Sequence, residues 1–268
     1  MIFEIKYKTS YHFSNEVPML IQQIKLYPTV CKNQKILEWS IDSLEGELSE
    51  VFTDALGHRI QNIYINNAPK EQVISAKGIV ETKNFNGVVD GLNEKVNPKC
   101  FLRQTDLTAP DKQIINLVKK ESKDKLDSIG FCHQLNEIVG NSITYESGAT
   151  SIETKARDAI SIGKGVCQDF AHILIGLARY HGYPARYING FSAHESNGVS
   201  ETHAWVEIYI TDLGWVAFDP SKKTCIDEKY VRVGCGFDFT DASMIKGVKC
   251  NFNGEEKLDK ELRIRLQQ

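Results

Sequence analysis

Residues 167–181 are apolar on nearly every side of a helical projection, because Phe170, Ala171, Ile173, Leu174, Ile175, Leu177 and Ala178 fall all around the axis. A helix of this kind must be covered by other elements on most of its surface, so the rest of the chain has to supply them. Gly182 and Pro184 end it. At its other end the segment Gly163-Lys164-Gly165-Val166-Cys167-Gln168-Asp169 places two glycines just ahead of the first turn and one thiol, Cys167, at the helix N-terminus. The first helical N–H groups lack intrahelical partners, and the summed peptide dipoles put partial positive charge there. Both effects favour a thiolate over a thiol, and the thiolate is the reactive form of cysteine.

The 268 residues are enough for one large or two modest domains, and two are expected: residues 1–95 and 100–268. In the first, residues 3–7, 19–26, 36–41 and 60–65 are β-branched and aromatic runs of strand length. They are separated by turn-forming stretches at 54–57, 66–69 and 84–87. This spacing predicts an all-β sandwich or barrel. The polar, proline-containing stretch 94–100 is the expected linker. Helices are then predicted over 111–119, 126–139, 151–160 and 167–181, followed by strands at 185–191, 204–210 and 215–218. The last two flank Thr211-Asp212-Leu213-Gly214, a hairpin turn. The fold class expected is α+β, with helices packed on an antiparallel sheet behind the β-rich first unit.

A net charge of −3 with scattered basic residues lacks the electrostatic footprint of a nucleic-acid binder. The N-terminal residues alternate apolar and charged side chains and read as a strand, not as a secretory signal. No apolar run approaches the roughly 20 residues that span a bilayer. The expectation is a cytoplasmic protein with neither a membrane nor a nucleic-acid partner. Seven cysteines, odd in number and without a Cys-x-x-Cys pair, argue against a disulfide framework. Finger or ribbon spacing of Cys and His is missing too, so no metal and no cofactor is expected.

A cysteine nucleophile needs a base and a group that orients the base. His203 and Asp219 lie eight residues to either side of position 211, so a turn centred there places them opposite one another on adjacent antiparallel strands. Directly opposed residues have Cβ atoms about 4.5 to 5.5 Å apart, close enough for a carboxylate to bond an imidazole. A slip of register or a bulge would alter this. His172 and His181 share the helix of Cys167 but sit too far along it to serve as its base, and His172 reads as a core residue. His194 falls in a polar loop and is expected to be exposed. The backbone N–H of Cys167 is available as one half of an oxyanion hole.

Three motifs then resemble one family. Gly165-Val166-Cys167-Gln168-Asp169-Phe170-Ala171-His172, His203-Ala204-Trp205-Val206-Glu207 and Gly214-Trp215-Val216-Ala217-Phe218-Asp219-Pro220 occur in the order found in the bacterial branch of the transglutaminase-like superfamily. Residues 1 to about 80, with Asp54-Ala55-Leu56-Gly57-His58 at a turn, resemble that branch's β-rich N-terminal region. The resemblance implies a papain-like core with Cys167 as nucleophile, His203 as base and Asp219 as orienter. It also implies an oxyanion or supporting role for Tyr145, which precedes Gly148 and Thr150, and for Gln168. At Gly236-Phe237-Asp238-Phe239 the chain departs from the family's Gly-Arg-Asp-Tyr, which removes an arginine and a hydroxyl.

Members of the superfamily include transglutaminases, cysteine proteases and other amide hydrolases. The expected activity is therefore cysteine-dependent hydrolysis of a peptide or protein amide through a thioester acyl-enzyme. Acyl transfer from a glutamine to an amine is the near alternative, and a non-catalytic binding module is the distant one. The motifs speak to mechanism more than to substrate or oligomeric state.

Overall fold

The computed structural model describes residues 1–118, 126–193 and 202–267. The chain opens with six strands, β1 (Ile2–Phe13), β2 (Val17–Ile24), β3 (Gln34–Ser43), β4 (Phe52–Thr53), β5 (Arg59–Ala68) and β6 (Glu71–Thr82). Alternation sorts their faces. In β1, Phe3, Ile5 and Tyr7 are buried, whereas Lys6 and Lys8 at alternate positions are exposed. The buried face joins Leu20, Ile24, Ile63, Ile74 and Val80 in one apolar core between two sheets.

A further strand, β7 (Val88–Val89), and a 3₁₀ turn over Pro98–Leu102 follow. The second unit then runs through α1 (Lys112–Ile115), α2 (Ser128–Gly140), β8 (Thr144–Tyr145), α3 (Ala156–Ile162), β9 (Lys164–Gly165) and α4 (Cys167–Tyr180). It continues with β10 (Ala185–Ser192), β11 (Thr202–Ile210), β12 (Gly214–Asp219), β13 (Thr224–Cys225), β14 (Tyr230–Gly236) and α5 (Phe239–Ala242). Strands β13, β12, β11, β10 and β14 lie side by side, with β7 paired to β12. The all-round apolar helix is α4, and it is covered as its sequence demands. Ala204, Val206, Ile208, Val216 and Phe218 of the sheet pack on it, and Phe131, Leu135 and Val139 of α2 pack beside them.

Helix boundaries move where local side chains compete with the helix. The one expected from 151 begins at Ala156, because Ser151 and Thr154 close a turn on each other: the Ser151 N–H donates to Thr154 Oγ1 at 2.9 Å. Asp127 caps α2, accepting the Gly130 N–H at 2.8 Å. The helix expected over 111–119 is α1 at its start, and residue 119 lies outside the described residues.

The last strands, β15 (Ile245–Cys250) and β16 (Glu256–Gln267), return to the N-terminal unit. They complete two four-stranded sheets, in the orders β16-β1-β6-β3 and β15-β2-β5-β4. The β-rich unit is thus a sandwich, and the C-terminal segment crosses the division expected near 95–100 by pairing with β1 and β2. The expected linker is also built in. Phe101 is fully buried against Trp215 and Phe237, with ring centroids 5.6 and 4.9 Å away. Glu94 accepts two hydrogen bonds from the buried Arg186, at 2.6 and 2.9 Å.

Arg186 also bonds Glu207 at 2.7 Å, and Glu207 accepts from Arg232 at 2.8 Å, which in turn donates to Thr29 of the sandwich at 2.8 Å. His58, at the end of the 54–57 turn, accepts the Cys235 N–H at 2.9 Å and donates through Nδ1 to Asp54 at 2.8 Å. These buried polar bonds tie β14 of the core to the sandwich. Among the described residues no helix is long and apolar enough to cross a membrane.

Candidate active site

The turn that starts α4 is held by the third residue of the helix. Asp169 Oδ2 reaches back to accept the Val166 N–H at 2.8 Å, and also accepts from Thr150 Oγ1 at 2.6 Å. Gly165 is required here, since a Cβ would lie 2.7 Å from both Cβ and Oδ2 of Asp169. Burial raises the Asp169 carboxyl's proton affinity, against the opposing bonds from Thr150 and Val166. The result is a fixed backbone on which Cys167 is the first helical residue. Its N–H carries no intrahelical bond.

His203 and Asp219 come together, although not through the register expected. Ile210 pairs with Gly214 and Val206 with Phe218, so the hairpin is centred on 212 and not on 211. Extending that register puts Asp219 opposite Trp205, two residues from His203. A two-residue shift keeps both side chains on one face, whereas a one-residue shift would have separated them. Diagonal neighbours at this offset lie within reach of long side chains, and His203 Nε2 bonds Asp219 Oδ2 at 2.6 Å. Nδ1 is thereby left for the thiol, and Cys167 lies near enough to the His203 ring to favour its charged form.

Asp219 is fully buried yet surrounded by donors. Besides His203, it accepts from Tyr230 Oη at 2.8 Å, from the Ser221 N–H at 3.0 Å and from Ser221 Oγ at 2.6 Å. Burial alone would disfavour the carboxylate. The hydrogen bond and charge of His203, with the bonds from Ser221 and Tyr230, outweigh it and hold the acid at about 2. For His203 burial likewise opposes the charged form, and the bond to Asp219 followed by the nearness and charge of Cys167 raise the imidazole to about 10. An imidazolium beside the sulfur, oriented by a saturated carboxylate, is an arrangement suited to a sulfur nucleophile and to proton delivery.

Tyr230 and Ser221 belong to this constellation without having been expected there. Ser221 had a local signal, because an aspartate two residues ahead in Asp-Pro-Ser commonly accepts a backbone N–H in an Asx turn. Tyr230 had none, since its reach depends on where β14 lies in the sheet. Trp205 shapes the same wall. Its ring packs over Gly190, where a Cβ would lie 2.5 Å from Cη2.

A cavity of about 430 Å³ opens over Cys167 and His203. Tyr145 lines it, held by the β8–β9 pairing that sets it opposite Gly165, with its ring 6.3 Å from that of Phe170. Gln168 lines it as well, but its amide donates to the carbonyls of Ile152 at 3.2 Å and Ser151 at 3.5 Å. The Gln168 side chain thus fastens the 145–152 loop to α4. Phe239, at the departure from the family pattern, presents a bare ring to the cavity, whereas Phe237 turns away beneath the Arg103 guanidinium, 4.1 Å from the ring centroid.

His172 is fully buried, and its Nε2 accepts the Phe239 N–H at 3.2 Å. Burial lowers it to about 4, assisted by Arg179 and opposed by Asp238, in keeping with a neutral core residue. His181 caps the far end of α4. His194 lies outside the described residues. All seven cysteines are free, including Cys167.

Residues 115–220 match the transglutaminase-like superfamily core, and residues 3–81 match the bacterial transglutaminase-like N-terminal region. An uncharacterized protein of Mycobacterium leprae is 22% identical over 265 residues, 91% of each chain. An uncharacterized protein of Mycobacterium tuberculosis is 32% identical over 116 residues, which are 39% of this chain and 37% of that protein. A crystal structure from Cytophaga hutchinsonii, named a "putative cysteine protease", superposes with a TM-score of 0.78 at 22% identity, covering 100% of this chain and 92% of that one. At that identity the likeness is one of fold.

Proposed function

We propose that this chain, a member of the bacterial transglutaminase-like superfamily by its core and its N-terminal region, is a cysteine-dependent amide or peptide hydrolase. The observation that carries the reading is His203, held by Asp219 at 2.6 Å on one ring nitrogen and lining the same cavity as Cys167.

In the first half-reaction, Cys167 Sγ attacks the amide carbonyl carbon. The oxygen takes up negative charge beside the Cys167 N–H, which lies at the positive end of α4. Collapse of this adduct breaks the C–N bond as His203 gives its proton to the leaving nitrogen, and a thioester joins the acyl group to Sγ. Water then adds to the thioester carbon, giving its proton to His203. The C–S bond breaks, releasing the acid and regenerating the thiolate and imidazolium. Asp219 keeps its charge throughout and fixes the ring's orientation.

Rapid-quench mass spectrometry with an activated acyl ester tests the reading. The expected result is a transient mass increase equal to the acyl group, mapping to Cys167 and absent in Cys167→Ala. A burst of product with no adduct on Cys167 would refute it.

A further inference from the structure

The cavity over Cys167 does not end in the catalytic core. It continues between the two sheets of the sandwich, at the edge where β15 and β16 lie. Tyr11 and Leu20 line that part together with Lys249, Glu256, Leu258 and Lys260. The pairing of β1 with β16 sets Lys260 opposite Thr9, Leu258 opposite Tyr11 and Glu256 opposite Phe13. Thr9 and Phe13 are buried on the inner side of β1, so alternation sets Glu256, Leu258 and Lys260 on the side of β16 that faces the cavity, where all three remain exposed at its open mouth. Two charges on a face that elsewhere forms an apolar core call for a reason. Glu256 has one, because it is ion-paired with Lys249 across the gap between the sheets. Lys260, exposed at the mouth of the cavity, has no carboxylate within ion-pairing distance among the described residues, and the surrounding protein partly desolvates its ammonium and lowers its proton affinity.

We propose that this arm of the cavity is the subsite for an anionic group on the acyl donor, in which Lys260 binds a substrate carboxylate while Tyr11 and Leu258 hold the chain that leads from it to Cys167. The substrate class is then an acidic peptide or a peptide carrying a terminal carboxylate. The inference rests on the reading of Cys167 as the nucleophile. The whole cavity, about 430 Å³, suits a short peptide segment, since ligand sites run from about 300 to 1,000 Å³. With Lys249 and Glu256 neutralising each other, Lys260 leaves the arm net positive. The N-terminal sandwich would thus select substrates and not merely support the core.

The experiment uses the full-length Cys167→Ala protein, which binds without turning over. The probes are N-acetylated pentapeptide amides of one length, with a single Glu or Gln moved through an otherwise neutral sequence, and a matching set ending in a free carboxylate. Calorimetric titration should give about tenfold tighter binding for Glu at one position, or for the free terminus, than for the neutral counterpart. Lys260→Gln should abolish that preference, Lys260→Arg should keep it, and Lys260→Glu should reverse it toward Lys-containing peptides. Equal binding of charged and neutral peptides, or no binding of either, overturns the proposal. So does Lys260→Gln that associates at high concentration with its peptide preference intact, because the lysine would then serve to keep the sheet edge from pairing with another chain. The same peptides on the protein with Cys167 separate the two readings. Charge-selective binding without cleavage leaves the subsite and removes the hydrolase, whereas cleavage indifferent to charge does the reverse.

Discussion

His203 and Asp219 meet at 2.6 Å although they are offset by two residues across the β11–β12 hairpin. The offset makes the contact depend on the length of the imidazole and on Tyr230 and Ser221, which hold the carboxylate in place. Asp219→Asn keeps the shape, removes the charge and offers an amide N–H₂ where donors already converge. Hydrolysis should fall about a thousandfold, mostly in kcat. The carboxylate also sustains the proton on His203, whose value is about 10. The alkaline limb of kcat/KM, expected near that value in the wild type, should therefore move to lower pH in Asp219→Asn, as read from full pH–rate profiles.

Tyr230→Phe should act in the opposite sense on the same limb. The phenol withdraws charge from Asp219 Oδ2, the oxygen that bonds His203. Without it His203 holds its proton more firmly, and the alkaline limb should shift upward. Loss of one hydrogen bond to a carboxylate corresponds to about a tenfold drop in kcat, with KM little changed. A phenol that merely packs would leave the limb where it is.

Acid stability follows from Asp219 too. Its folded value of about 2 lies below the ordinary 3.8, with burial opposing ionisation and the bonds from His203, Ser221 and Tyr230 outweighing it. A carboxyl depressed on folding stabilises fully above its unfolded value, and that stability is lost as pH falls through the folded value. The window is thus about pH 4 down to 2, and the contribution is about 2 kcal/mol. Urea denaturation across that window should show the loss in the wild type and a shallower dependence in Asp219→Asn.

Most of the second unit was legible because its elements carry local signals. The run from Phe170 to Ala178 can only be a buried helix, Gly165 and Gly182 frame it, and Gly214 marks the hairpin. The meeting of His203 with Asp219 was legible as well, whereas their register was not, because turn centre 211 or 212 depends on which residues adopt positive φ. Asp212 and Gly214 do, at 73° and 82°. Closure of the sandwich by β15 and β16 left little trace. Glu256–Gln267 alternates only weakly, since Lys260 and Glu256 occupy cavity-facing positions that an apolar residue would otherwise mark. Strand pairing across the whole length of the chain has no local code.

Glu207 is the hinge of the buried charge cluster, accepting from both Arg186 and Arg232 with no exposure to solvent. Glu207→Ala leaves two guanidinium groups short of a partner in the core and should cost about 3–5 kcal/mol. Chemical denaturation with circular dichroism checks this. Glu207→Gln keeps the shape but not the charge and should fall between the two.

The central claim is that His203 activates Cys167, and alkylation of Cys167 by iodoacetamide at pH 6 tests it most directly, with peptide mapping to isolate that cysteine from the other six. The account predicts that wild-type Cys167 reacts at least about tenfold faster than Cys167 in His203→Ala, because only the thiolate is alkylated and the imidazolium sustains it. Equal rates in the two proteins would contradict it.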